Sequence, residues 1–247
     1  MRTRVLVAAF VALRLILKAT AKGEHMNHRL LRRGTVLASA LLSSALIVLP
    51  AGAASRTDAP VYRFVDGAVV GSTSLVRGPS GISFTLATTG LQSGYAYTLW
   101  VVVFNNPSAC TAPTPVSRCS DPDVGNAAAM PDILYGTGHV AGGSGEVSFA
   151  GHRSVGDGDG SISAPVGLPA FGLLDPAGAE VLLVVHEHGP VLAQYLPDMI
   201  QTVGGGCTDA GIPAPGVASP FNAYAGAEFG RRGPNTCQSV QFAFHTP

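Results

Sequence analysis

The sequence predicts an all-β fold: an antiparallel β-sandwich with long disulfide-tied loops and at most one short helix. Short stretches in which apolar and polar residues alternate are separated by Gly, Pro, Asn and Asp. The 247-residue chain contains 31 Gly and 18 Pro. Almost no stretch repeats with the period of a helix. Alternating side chains between turn residues are typical of antiparallel strands that bury one face.

Two continuous apolar runs, 98–104 and 181–185, predict central strands that are buried on both faces. Ile82, Phe84 and Leu86 alternate with small or polar residues, which predicts a strand with one buried face. Further strands are predicted over 61–65, 68–70 and 240–244.

The segment Gly142-Gly143-Ser144-Gly145 separates two apolar stretches, 134–141 and 146–151, and this pattern predicts a β-hairpin. The only helical pattern lies within 191–203, where Pro197 is compatible with the first turn of a short helix.

Charge is distributed unevenly along the chain. Residues from Ala54 onward contain 7 Arg, no Lys and 14 acidic residues, so this part of the chain carries a net charge of about −7 (7 − 14). Binding to nucleic acids depends on Lys and Arg that neutralise phosphates. This charge therefore argues against a nucleic-acid partner and against an anionic membrane surface.

Residues 26–53 have the three parts of a secretory signal peptide. Arg29, Arg32 and Arg33 precede an apolar run over 36–49, and small residues follow at 51–53. The run is shorter than the roughly 20 apolar residues that cross a bilayer. We expect cleavage after Ala53, no membrane span after cleavage, a single domain over 54–247, and a secreted or periplasmic location. Translation starts at Met1 or Met26, and Arg32-Arg33 leaves a twin-arginine export route open.

Four cysteines follow the predicted cleavage site: Cys110, Cys119, Cys207 and Cys237. An even number of cysteines in an exported chain predicts two disulfides. Three pairings are allowed, and we favour Cys110 with Cys119 and Cys207 with Cys237 because these pairings close the shorter loops. A zinc site built from the cysteines is the alternative, although the chain contains no C-x-x-C pair.

His186 and His188 are the best candidate metal ligands, for copper or zinc. Residues two apart on a strand project from one face, and imidazole suits both metals. His139 or His152 is the candidate third ligand. In the predicted hairpin these two histidines lie about 13 Å apart along the ladder, so they cannot both bind one ion. The alternative is that His186 and His188 are partly exposed polar residues at the end of a strand.

No catalytic motif of the G-x-S-x-G, H-E-x-x-H or phosphate-loop type occurs in the sequence. A hydrolase whose residues are distant in sequence stays an alternative, as does a calcium ion at Asp157-Gly158-Asp159-Gly160-Ser161.

Leu91, Gly94 and Tyr97 have the spacing of a tyrosine corner, in which a Tyr hydroxyl bonds to upstream backbone, and this spacing resembles immunoglobulin-like sandwiches. Three further motifs, Y-T-L-W at 97–100, F-N-N-P at 104–107 followed by Cys110, and H-G-P at 188–190, together resemble an uncharacterised family of exported bacterial proteins. That resemblance implies export, cysteine pairing and a β-rich domain. It implies no particular activity or ligand.

The leading hypothesis is a non-catalytic exported domain with a binding or structural role. Its contact surface is expected on the loops around the two disulfides, and its ligand, a protein or a small molecule, is unknown. The alternative hypothesis is a copper- or zinc-binding protein that uses His186 and His188.

Overall fold

Eight antiparallel β-strands form one continuous sheet in the computed structural model, which describes residues 54–158, 161–163, 167–208 and 229–247. The strands are β1 (Ser55–Arg63), β2 (Val69–Gly78), β3 (Gly81–Thr88), β4 (Tyr95–Phe104), β5 (Pro131–Val140), β6 (Val147–Ser154), β7 (Glu180–Pro190) and β8 (Gln238–His245). The signal peptide predicted over 26–53 lies outside the described residues.

The strand order in the sheet is β5-β4-β7-β8-β1-β2-β3-β6. The sheet curves until it is nearly closed, and its two edge strands, β5 and β6, approach each other. The predicted all-β antiparallel fold is confirmed. Because β8 pairs with both β7 and β1, the last strand of the chain joins its two halves.

The concave side of the sheet holds the larger hydrophobic core. Alternate side chains of each strand point inward, as predicted for β3, whose Ile82, Phe84 and Leu86 are buried while Ser83 and Thr85 are exposed. Other inward residues include Leu75, Leu99, Val101, Phe149, Leu183 and Ala243.

A second core covers the outer face of β4 and β7. Trp100, Val102, Leu182 and Val184 point outward, and residues of the surrounding loops pack over them. Both strands are therefore buried on both faces, as their continuous apolar sequences predicted. The loop residues in this outer core include Cys119, Ala129, Ile162, Val203 and Phe229.

The prediction that β5 and β6 form a hairpin with each other is wrong. β5 pairs with β4, and β6 pairs with β3. His139 consequently lies opposite Tyr97, and His152 lies opposite Ser83. The link at 142–145 reverses the chain, but β5 and β6 each form their ladder with a different neighbour.

The Tyr97 hydroxyl bonds to upstream backbone, as the spacing of Leu91, Gly94 and Tyr97 predicted. Its hydroxyl accepts a hydrogen bond of 2.8 Å from the Gln92 backbone N–H and donates one of 3.1 Å to Glu187. This local prediction is confirmed. It fixes the entry of the chain into β4.

Both predicted disulfides are present, Cys110–Cys119 and Cys207–Cys237, with Cα atoms 5.2 and 5.6 Å apart. The predicted short helix is α1 (Leu196–Gln201), with Pro197 in its first turn. Among the described residues, no helix is long and apolar enough to cross a membrane.

Candidate functional site

His186 and His188 lie on the outer face of β7, and both side chains are fully buried. Their ring centroids are 5.3 Å apart in an edge-to-face arrangement. The strand therefore brings both imidazoles to one face, as their spacing predicted. The alternative that they are partly exposed at the end of a strand is wrong, because β7 continues to Pro190 and loops cover this face.

Both ring nitrogens of His188 have protein partners. Nδ1 lies 2.8 Å from the Gly205 carbonyl oxygen, and Nε2 lies 2.8 Å from Oγ1 of Thr98. A carbonyl oxygen can only accept, so Nδ1 carries the proton and Nε2 accepts from the Thr98 hydroxyl. That hydroxyl in turn accepts a 3.1 Å hydrogen bond from Nε1 of Trp100. Burial lowers the pKa of His188 to about 4, although the bond to Gly205 partly opposes this shift.

The ring nitrogens of His186 have fewer hydrogen-bond partners than those of His188. Its ring stacks on Trp100 with centroids 4.3 Å apart, and Nδ1 lies 3.4 Å from Oγ of Ser239. Nε2 is buried and has no hydrogen-bond partner among the described residues. Burial, followed by the neighbouring His188, holds the pKa of His186 well below its usual value, so the ring is neutral.

The Cys207–Cys237 disulfide packs beside the two rings. A ring nitrogen of His186 and the sulfurs of Cys207 and Cys237 all lie within 4.8 Å of one another. The Cys207 sulfur is also 3.6 Å from Nδ1 of His188. We call the set Thr98, Trp100, His186, His188, Cys207 and Cys237 the histidine–disulfide cluster.

His139 and His152, the other candidate metal ligands, lie elsewhere. His139 is exposed on β5 and shares a sheet face with Tyr97 and Glu187, opposite to the face that carries His186. His152 is exposed on β6, where its Nδ1 lies 2.9 Å from Oγ of Ser83. The structure therefore does not bring either residue to the His186–His188 pair.

The segment 157–161, the alternative calcium site, is only partly described, because Asp159 and Gly160 lie outside the described residues. Asp157 lies 3.4 Å from the guanidinium of Arg153. One carboxylate of the loop is thus engaged by a cation of the protein itself.

A solvent-open groove of about 490 Å³ lies beside the Cys110–Cys119 loop and was not predicted as a specific site. Its lining residues are Asn105, Asn106, Pro107, Ser108, Arg118, Gly178, Thr246 and Pro247. They come from the end of β4, the disulfide loop, the turn before β7 and the end of β8, so only the folded chain assembles them.

Two carboxylates brace the wall of this groove. Buried Glu180 accepts hydrogen bonds from the backbone N–H groups of Arg118 and Cys119 at 3.0–3.1 Å. Asp123 accepts from the N–H groups of Thr111, Ala112 and Ser120. Burial alone would raise the pKa of Asp123, but these hydrogen bonds outweigh it and lower the pKa. No local pattern marks Glu180, since its partners lie 61 and 62 residues away.

Asn105 anchors the other side of the groove. Its Nδ2 donates to the carbonyl oxygens of Met130 (2.9 Å) and Gly172 (2.8 Å), and its Oδ1 accepts from the N–H of Leu174 (2.8 Å). The side chain of Arg118 is exposed at the groove, while its backbone is held by Glu180. Hydrogen bonds therefore fix the backbone on both sides of the groove, and the exposed guanidinium of Arg118 projects from it.

Comparison with known proteins finds no matching family, no similar curated protein and no matching solved structure.

Proposed function

We propose that this protein is an exported, non-catalytic binding domain whose contact surface is the groove beside the Cys110–Cys119 loop. The observation that carries the proposal is the bracing of the groove wall by a disulfide, by Glu180 and by Asp123. A surface whose backbone is already ordered loses less conformational entropy when it binds a ligand.

The groove favours a ligand with an anionic group. Arg118 supplies an exposed guanidinium that can hold a carboxylate through two parallel hydrogen bonds. The chain from Ala54 onward is acidic overall, so the exposed guanidinium of Arg118 contrasts with the surrounding surface and favours an anionic group of the ligand. We propose an acidic peptide segment of a partner protein as the ligand.

Export is supported by the cysteines and the N-terminal sequence. All four cysteines form disulfides, which persist in oxidising compartments outside the cytoplasm. The sequence over 26–53 has the composition of a signal peptide, with cleavage expected just before Ala54.

A non-catalytic role is supported by the burial of the histidine–disulfide cluster. Thr98, His188 and the Gly205 carbonyl form a hydroxyl–imidazole–carbonyl chain, an order that also occurs in nucleophilic catalysis. Thr98 and His188 are fully buried, however, so no substrate reaches the hydroxyl in this conformation.

Peptide display tests the proposal. Random peptides are selected on the immobilised domain comprising residues 54–247. The affinity of each selected peptide is then measured for the wild-type domain and for Arg118→Ala. We expect selected peptides to be rich in Asp and Glu and to bind Arg118→Ala at least tenfold more weakly, since a lost charge-assisted hydrogen bond costs about 1.5–3 kcal/mol.

Arg56→Ala is the matched control for this experiment. Arg56 is also exposed, but it pairs with Asp58 on β1 and is not one of the residues that line the groove. Peptides that bind the domain and both variants equally would contradict the proposed surface.

A further inference from the structure

We propose that Cys207 and Cys237, when the disulfide between them is reduced, bind one thiophilic metal ion, Zn²⁺ or Cu⁺, together with a ring nitrogen of His186. This site differs from the histidine-only set that the sequence suggested. It also lies in the histidine–disulfide cluster rather than in the proposed binding groove.

The three ligand atoms are already close enough for one ion. A ring nitrogen of His186 and the two sulfurs lie within 4.8 Å of one another. A tetrahedral ion with Zn–S bonds of about 2.3 Å and Zn–N bonds of about 2.0 Å places its ligands roughly 3.5–3.8 Å apart. The sulfurs therefore only have to separate after reduction, without any long movement of the chain.

The backbone keeps the two cysteines together without the covalent bond. The backbone N–H of Asn235 donates to the Gly206 carbonyl oxygen at 3.0 Å, that of Thr208 donates to Asn235 at 2.7 Å, and that of Gly233 donates to Cys207 at 3.0 Å. The Asn235 side chain also donates to the carbonyl oxygens of His188 and Pro190. Reduction thus leaves Cys207 and Cys237 tethered to the same short ladder.

His186 is the better ligand of the two buried histidines. Within the part of the chain that the structure describes, its Nε2 has no hydrogen-bond partner, whereas both nitrogens of His188 are bound, by Gly205 and Thr98. Its lowered pKa keeps the imidazole neutral, which is the form that ligates metals. Two thiolates and one imidazole are soft donors that favour Zn²⁺ and Cu⁺ over Ca²⁺ or Mg²⁺.

The redox step is an exchange with a small thiol reductant. Two reductant thiols become one disulfide, and each cysteine sulfur gains one electron and one proton. Metal binding then releases the two thiol protons to solvent. A newly exported chain carries the same two thiols before oxidation, so the metal and the disulfide compete for one pair of sulfurs.

The test is metal titration of residues 54–247 in oxidised form and after anaerobic reduction with a phosphine. Co²⁺ serves as a spectroscopic probe, and Zn²⁺ and Cu⁺ stoichiometry is read by native mass spectrometry. We expect one equivalent to bind only after reduction, with a thiolate-to-cobalt charge-transfer band. His186→Gln should weaken binding at least tenfold, and Cys207→Ser with Cys237→Ser should abolish it.

The matched control is Cys110→Ser with Cys119→Ser, which removes the other disulfide and should leave metal binding unchanged. Because loss of a disulfide lowers stability, each protein is also refolded from urea with Zn²⁺ and reductant present. The proposal is overturned if neither the reduced protein nor the refolded protein takes up metal. It is also overturned if uptake requires Cys110 and Cys119, or if His186→Gln leaves uptake unchanged.

Discussion

At the level of single residues, buried imidazoles couple the stability of the fold to pH. His188 is enclosed by Thr98 and Gly205, and His245 lies between the hydroxyls of Thr57 and Thr73 at 2.9 and 3.3 Å. Burial lowers the pKa of each to about 4, and for His245 the nearby Arg77 adds to the shift. In the unfolded chain both histidines regain an ordinary pKa of about 6.5.

This difference predicts that acid weakens the fold. Below pH 6.5 the unfolded chain takes up protons that the folded chain does not. The contribution of these histidines to the free energy of unfolding is therefore complete above pH 6.5 and is lost as the pH falls towards 4. Each of the two histidines should lower the free energy of unfolding by about 2 kcal/mol between pH 7.5 and pH 5. Urea unfolding at the two pH values measures this change.

Between pH 7.5 and pH 5 the free energy of unfolding of His188→Gln should fall by about 2 kcal/mol less than that of the wild type, because glutamine does not titrate. His139→Gln, at an exposed position outside the cluster, serves as the control for replacing a histidine by glutamine. An equal loss in the wild type and in His188→Gln would show that His188 does not titrate as described.

Single residues also show where prediction from sequence ends. The spacing of His186 and His188 placed both rings on one face, because strand periodicity is local. Their partners, Thr98, Gly205, Ser239 and the disulfide, come from loops and from other strands 17 to 90 residues away. The same spacing could not distinguish two surface imidazoles from a buried cluster.

At the level of elements, the packing of α1 on β5 depends on one glycine. Tyr135 donates a 2.6 Å hydrogen bond to the Ile200 carbonyl, and this brings the helix backbone directly over Gly138. A Cβ on Gly138 would lie 2.6 Å from the carbonyl carbon and 2.7 Å from the Cα of Ile200. Backbone atoms cannot rotate away as a flexible side chain would.

Gly138→Ala should therefore destabilise the protein by about 1–3 kcal/mol, the usual cost of overpacking. The control is Gly142→Ala in the link between β5 and β6, where a Cβ meets nothing within 4 Å. Thermal unfolding of both variants compares the two costs. A transition temperature for Gly138→Ala equal to that of Gly142→Ala would mean that α1 does not pack on β5 in this way.

Elements with a strong internal pattern were predictable. The alternation in β3 and the continuous apolar runs in β4 and β7 correctly indicated which faces are buried. The pairing of β5 and β6 was not predictable, because the turn at 142–145 is compatible with either a shared ladder or two separate ones. Contacts of β5 with β4 and of β6 with β3 decide between them.

At the level of the whole molecule, the fold places two disulfide-tied loop regions over the outer face of the β4–β7 pair. One region forms a polar groove beside Cys110–Cys119, and the other covers His186 and His188 beneath Cys207–Cys237. The cysteine pairing was predictable because each bond closes the shorter loop. The strand order was not, since it depends on long-range pairing of β8 with β1 and β7.

Export and disulfide bracing are tested most directly by the intact mass of the protein recovered from the culture or the cell envelope of its own host. The protein is analysed before and after reduction and alkylation. We predict a chain that begins at Ala54 and that has no thiol open to alkylation until it is reduced, when all four cysteines react. A protein that retains residues 26–53, or that carries free thiols as isolated, would contradict this account.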